Sequence, residues 1–212
     1  VRIEFAEGGY TIHPGNINDF FTNCRDRFPG RFYCFTMANF ASPVNKPLFM
    51  DEKKFVDEFI ETLNNHVHKG ARGLKILKEL GLHYRDKNGD LINCNDERLF
   101  PVWEEAGRLK IPVLIHQADP SGFFEPVTPE NEHYESLIKY PSWSFADPKY
   151  PRKPELIRRR DDLVSSHPET IFILPHVANY AENILHVAEL LDANPNVYID
   201  FSARLDELGR QP

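Results

Sequence analysis

The sequence predicts an α/β fold built on parallel strands. Short β-rich runs alternate with segments of helical periodicity along the 212 residues. Several of these runs are continuously apolar, as strands covered on both faces are, and several end in a polar residue able to do chemistry. Alternation of this kind implies successive βαβ units sharing one sheet.

The elements follow in order. Val1 to Phe5 is the first β-rich run, and a helix from about Asn16 to Arg27 follows, stopped by Pro29-Gly30. Arg31 to Phe40 reads as the second strand. Asp51 opens a helix in which Phe55, Val56, Phe59, Ile60, Leu63 and Val67 fall at helical spacing, and Gly70 ends it. Arg72 to Leu77 is the third strand, and Asp96 to Leu109 is a helix with Leu99, Phe100, Trp103 and Ala106 on one face. Ile111 to His116 is the fourth strand, wholly apolar before its histidine. Pro154 to Ser166 is helical, Ile171 to His176 is the fifth strand, Glu182 to Ala193 is a helix and Asn196 to Ser202 is the sixth strand. No linker or low-complexity stretch interrupts the series, so residues 1–212 read as a single domain.

Two architectures accommodate such units: an open doubly wound sheet, or an eight-stranded (β/α)8 TIM barrel with units missing. An open sheet that binds nucleotide carries a glycine-rich loop after an early strand. Gly8-Gly9 is no such fingerprint, and the Gly70 to Gly73 stretch precedes its strand. Composition narrows the function classes. A formal net charge of -7 argues against nucleic acid, whose phosphates reward a basic face. No apolar run approaches the roughly 20 residues of a membrane helix. Cys24, Cys34 and Cys94 show no CxxC spacing and favour a reducing compartment such as the cytoplasm. The chain opens on a strand-like run at Val1 and stops at Pro212, and a longer gene product is expected at both ends.

In a parallel barrel each strand delivers its last residue to the face that carries the active site. Those residues, in order, are Asn39, Lys75, His116, His176 and Asp200. Two apolar strands ending in histidine, in VLIHQ and ILPHVAN, point to metal ligation or to acid/base work. The alternative is a pair of core histidines satisfied by backbone carbonyls. Lys75 in GLKI can hold a substrate carboxylate as a point charge, or be carbamylated to bridge two metals. Asp200 can accept a hydrogen bond from a ligand histidine or orient Arg204. His66-Val67-His68 has an HxH spacing, but it sits at the end of the helix from Asp51, where histidine complements the helix dipole. His13, His83, His133, His167 and His186 are placed on loops or helices as structural residues. The excursion from His116 to about Arg152 is rich in aromatic residues, among them Phe123, Tyr140, Trp143 and Phe145, and reads as a lid or pocket wall.

GARGLKI, IPVLIH, ILPHVAN and NVYIDFSARLDELGRQP, in that order, resemble amidohydrolase family 2, the metal-dependent group that includes aminocarboxymuconate semialdehyde decarboxylase. The resemblance covers nearly the whole chain and implies an incomplete barrel comprising strands two to seven. It implies that His116, ending strand five, binds the metal. His176, ending strand six, would act as the catalytic acid/base or, in two-metal relatives, as a ligand. The family's paired histidines on strand one and its metal-binding aspartate on strand eight have no counterpart between Val1 and Pro212. The expected activity is hydrolysis of a C–N or C–O bond in a small organic substrate by a divalent metal, zinc by preference. Lys75, Asp200 and Arg204 would contact substrate, and a homo-oligomer is a possible assembly. The alternatives are nonoxidative decarboxylation of a small carboxylic acid, a non-catalytic incomplete-barrel binding module and, more weakly, an open-sheet nucleotide binder.

Overall fold

The structure, a computed structural model, describes residues 2–6, 9–13, 15–37, 47, 48 and 50–210, with residues 2–13 described by backbone alone. Two sheets are present among them. β1 (Arg2–Ala6) and β2 (Gly9–His13) form an antiparallel pair, Arg2 opposite His13. The first β-rich run is therefore not a strand of the parallel sheet, which corrects the expected count of six. Only two residues separate β1 from β2, enough for a hairpin and far short of the dozen or so that a parallel crossover requires. His13 consequently lies in a strand, not in a loop.

The second sheet holds β3 (Phe35–Thr36), β4 (Gly73–Ile76), β5 (Val113–Ile115), β6 (Phe172–Leu174) and β7 (Val197–Ile199), all parallel and neighbours in chain order. That order decides between the two architectures. A doubly wound sheet reverses its strand order at a switch point and carries helices on both faces, whereas a barrel winds in one direction throughout. No reversal occurs here, so the nucleotide-binding alternative loses its fold. β3 is shorter than the expected run from Arg31 to Phe40, whose positions 38–40, Asn39 included, lie outside the described residues. At the β3–β4 pairing Phe35 lies opposite Gly73, and a Cβ on Gly73 would stand 2.5 Å from the Phe35 ring, so the close approach requires glycine there.

Strand alternation gives the sheet two unlike faces. Leu74, Ile76, Val113, Ile115, Phe172 and Leu174 are all wholly buried on one of them. They pack beneath Phe59 and Leu63 of helix Glu52–His68 and Val102, Trp103 and Ala106 of helix Phe100–Arg108, in one apolar core with Leu163, Val164 and Val187. Each such aliphatic or aromatic side chain contributes about 1.5–3 kcal/mol through burial. The first helix is capped by Asp51, whose carboxylate accepts the Lys54 N–H at 3.0 Å. On the other face, Lys75 lies opposite Leu114, Leu114 opposite Ile173 and Ile173 opposite Tyr198, and none of these four is fully buried.

The long excursion forms a second apolar cluster. Phe123, Phe124, Leu137 and Phe145 pack with Leu82, Ala118, Leu156 and Ile157, tying the excursion to helix Lys153–Ser166. Tyr140 and Trp143 stack on each other, ring centroids 4.5 Å apart, and stay partly exposed. Among the described residues no helix is long and apolar enough to cross a membrane.

Candidate metal centre

The open face of the sheet ends in the predicted residues, with two adjustments of position. Lys75 is the third of the four β4 residues rather than its terminus. His176 lies beyond β6, which stops at Leu174. It sits in a turn where His176, Val177, Ala178 and Asn179 all have positive φ, between 54° and 58°. Left-handed backbone at a non-glycine residue costs about 1–2 kcal/mol, so such a run persists only where its surroundings enforce it.

Those surroundings are specific. The His176 N–H donates to Asp200 Oδ1 at 2.9 Å, and the Val177 N–H to the Asp200 carbonyl at 2.7 Å. Arg160, fully buried, donates through Nη1 to the Ala178 carbonyl, and its Nε and Nη2 grip Asp161. Asp161 in turn accepts from His186 Nε2 at 2.8 Å, so that histidine is structural, as expected. Asn179 closes the turn: its Oδ1 accepts the N–H of Gln117, the residue after His116, at 3.1 Å. The turn carrying His176 is thus clasped to the strand end carrying His116.

The two imidazoles meet edge to face, ring centroids 5.0 Å apart. His176 Nδ1 lies 2.8 Å from the Ser202 carbonyl. A carbonyl only accepts, so Nδ1 carries the proton and Nε2 keeps its lone pair. Burial first, then the charges of Lys75 and Lys78, hold His116 well below the ordinary imidazole pKa, so its ring is neutral. Its Nε2 is buried without a hydrogen-bond partner, which is uncommon for a buried polar nitrogen. Ligand atoms of His116, Asp119 and His176 all lie within 4.8 Å of one another.

Asp119 was not singled out from the sequence. It is buried and paired with Arg204, whose Nε stands 3.1 Å from both carboxylate oxygens, and Arg204 Nη1 reaches Glu207 Oε1 at 3.2 Å. Arg204 is therefore oriented by Asp119 and Glu207, not by Asp200. Asp200 spends its Oδ1 on the His176 N–H and on the Ser202 N–H and hydroxyl. Burial pushes the Asp200 carboxyl pKa up, but these hydrogen bonds outweigh it and hold the group below the usual carboxylate range. Burial also lowers the Lys75 ammonium to about 8, against partial compensation from Glu79 and Asp200. Lys78, likewise overlooked, has its ammonium 5.1 Å from the ring centroids of both Phe123 and Phe145. The HxH pair lies elsewhere: His66, in the last turn of its helix, meets the hydroxyl of Thr36 in β3 at 2.6 Å through Nδ1.

With this geometry in place, comparison with known proteins supplies a family. The model described as amidohydrolase matches residues 34–211. Among solved structures, the chain is similar to a 2,6-dihydroxybenzoate decarboxylase complexed with 2,6-dihydroxybenzoate, at 16% identity and a TM-score of 0.53, covering 90% of this chain and 59% of that one. It is similar to 2,6-dihydroxybenzoate decarboxylase from Rhizobium at 16% identity and a TM-score of 0.51, with the same coverages of 90% and 59%. A dihydroxybenzoic acid decarboxylase from Polaromonas sp. JS666, with bound manganese and the inhibitor 2-nitroresorcinol, gives 15% identity and a TM-score of 0.50, covering 90% of this chain and 57% of that one. The chain thus spans less than two thirds of the length of each, and at these identities the likeness is one of fold. No curated protein matches. The five parallel strands in chain order are those of an incomplete (β/α)8 barrel, and the chain belongs to the amidohydrolase family.

Proposed function

We propose that the strand ends form part of a divalent-metal centre, and that the protein hydrolyses a C–N or C–O bond in a small organic molecule. The observation that carries this reading is the buried His116 Nε2, without a hydrogen-bond partner, in a cluster with Asp119 and His176. Two neutral imidazoles and a carboxylate are the donor set that zinc and similar borderline ions take. Neither a nucleotide nor an alkali cation accounts for an orphaned imidazole nitrogen.

In this reading His116 is the principal ligand this chain supplies, and Asp119 is close enough to join it. The ion would lower the pKa of a bound water or polarise a substrate carbonyl. The chain's own residues do the rest. His176, with Nδ1–H committed to the Ser202 carbonyl, offers Nε2 to accept a proton and return it to a leaving group. Asp200 fixes the backbone of that histidine and does not touch its ring, so its role is positioning rather than substrate contact. Lys75, on the open sheet face, presents a positive charge to an anionic part of the substrate. Arg204, already held by Asp119 and Glu207, keeps that carboxylate ionised and oriented.

The test is metal analysis and chelator competition on the whole protein with His116→Ala and His66→Ala side by side. His116→Ala is expected to weaken zinc or manganese binding at least 100-fold, and His66→Ala to leave it unchanged. Wild-type affinity in His116→Ala would sink the assignment. Nonoxidative decarboxylation is the competing reaction on the same constellation, and carbon dioxide release from a carboxylic acid substrate distinguishes it from hydrolysis.

A further inference from the structure

Two cations at the site have no anion of their own. Arg160, Lys153, Arg204 and Arg98 are each well buried, and each holds a carboxylate. Lys75 and Lys78 are also largely withdrawn from solvent, yet among the described residues neither forms an ion pair or a hydrogen bond. An ammonium taken out of water without a counter-charge is a standing cost to the fold, and a ligand anion is the group that would offset it.

Their placement defines what that anion meets. Lys75 projects from the open sheet face, opposite Leu114, two residues before His116 on the neighbouring strand. Lys78 follows Ile76 by two residues and lies over the edge of the second core, between the rings of Phe123 and Phe145. Both ammonium charges act on His116, so both stand at the same mouth. Glu79, Asp119 and Asp200 are the acidic groups near them, and Asp119 and Asp200 are already engaged by Arg204 and by the His176 turn.

We propose that Lys75 and Lys78 form a carboxylate-binding subsite beside His116 and His176, which makes the substrate a small organic acid. The proposal rests on the reading of the strand ends as the substrate-facing side, and it adds the substrate's chemical class. Two ammonium groups suit a carboxylate, and the buried Phe123 and Phe145 rings beside Lys78 give the apolar body of such an acid a wall to lie against. The subsite also bears on the reaction. A carboxylate held by two cations is stabilised in its ionised ground state, whereas loss of carbon dioxide moves negative charge onto the adjoining carbon, away from them. The carboxylate gripped here is a handle, and the bond that breaks lies elsewhere in the substrate.

The experiment is calorimetric titration of the whole metal-loaded protein with benzoate and with its neutral isostere benzamide. Wild type is compared with Lys75→Met, Lys78→Met and Lys78→Arg, and metal content is measured on every sample. Benzoate is expected to bind at least about tenfold more tightly than benzamide, the worth of one charge-assisted contact. Each methionine variant should lose that preference, and Lys78→Arg should keep most of it, with metal content unchanged throughout. Benzoate binding that is absent, no tighter than benzamide, or unmoved in both methionine variants overturns the subsite. Because metal content is read separately, failure of the lysine subsite and failure of the metal assignment give different results.

Discussion

The same five strands build two sheet faces that obey opposite rules. Toward the helices, Leu74, Ile76, Val113, Ile115, Phe172 and Leu174 are wholly buried and packed on one another. Toward the open side, the intervening residues are Lys75, Leu114, Ile173 and Tyr198, with His116 and Asp200 one step beyond their strands. A period-2 strand lets one stretch of chain serve both purposes, because neighbours in sequence never share a face. The helical side is where the fold's stability resides, and the open side is where unsatisfied nitrogen and unpaired charge accumulate. Unequal chemistry on the two faces, more than the presence of any single histidine, marks the candidate site.

The largest effect should come from shaving the helical face. Leu74→Ala removes most of a side chain at 0% exposure inside the main core and is expected to cost about 3–4 kcal/mol in chemical denaturation. Leu114→Ala, a half-buried neighbour on the open face, should cost about 1 kcal/mol or less. Equal losses at the two positions would show that the open face is as tightly packed as the covered one, and the comparison would collapse.

How much of this was legible in the sequence follows the same division. The helical face was readable because burial imposes periodicity: Phe59, Leu63, Trp103 and Ala106 fall where helical spacing puts them, and all are wholly buried. His116 and His176 were readable because each follows an apolar run with no packing reason to end in imidazole. The β1–β2 hairpin was misread because Val1 to Phe5 carries strand propensity, and propensity alone does not say which strand will pair with it or in what direction. Asp119, Lys78 and Asn179 were not legible because their roles come from distant partners. Arg204 lies 85 positions from Asp119, and Gln117 lies 62 from Asn179. The left-handed run at His176 has no local signature either, since its support comes from Asp200 on another strand and Arg160 on a helix. An asparagine after HVA was the one hint, because asparagine tolerates positive φ better than most residues.

A smaller effect is expected at the clasp between the two histidine-bearing segments. Asn179→Ala keeps a residue with a Cβ at φ 55° and deletes the acceptor of the Gln117 N–H, leaving that buried donor unpaired. The asparagine Nδ2 is itself buried without a partner, so its removal partly offsets the loss. The net cost should be about 2 kcal/mol. Asn179→Gly relieves the backbone strain and is expected to recover part of that cost, but not the hold on His116. Both variants should therefore bind zinc more weakly than wild type. If Asn179→Gly restored stability and metal affinity together, strain rather than the clasp would be what positions the histidines.

The smallest effect has the opposite sign and is the sharpest test of the division between faces. Lys75 holds an ammonium on the open side that burial lowers from 10.5 to about 8. A folded-state pKa below the unfolded value means that the charged form is disfavoured by folding. Below pH 8 both states carry the proton and the cost is present in full. Between about 8 and 10.5 the folded protein releases its proton first, the unfolded chain binds more protons, and stability rises with pH. Lys75→Met deletes that cost while keeping a long, flexible apolar stem. After allowance for the solvent that still reaches the group, the variant should be more stable than wild type by about 1 kcal/mol at pH 7. The gap should close as the pH is raised toward 10.5, a difference between two proteins that cancels every other titrating group. A variant less stable than wild type at pH 7, or a gap that does not change with pH, would mean that the Lys75 ammonium is compensated within the fold. It would then have no unmet charge to offer a substrate, and the open face would lose its claim to be the working one.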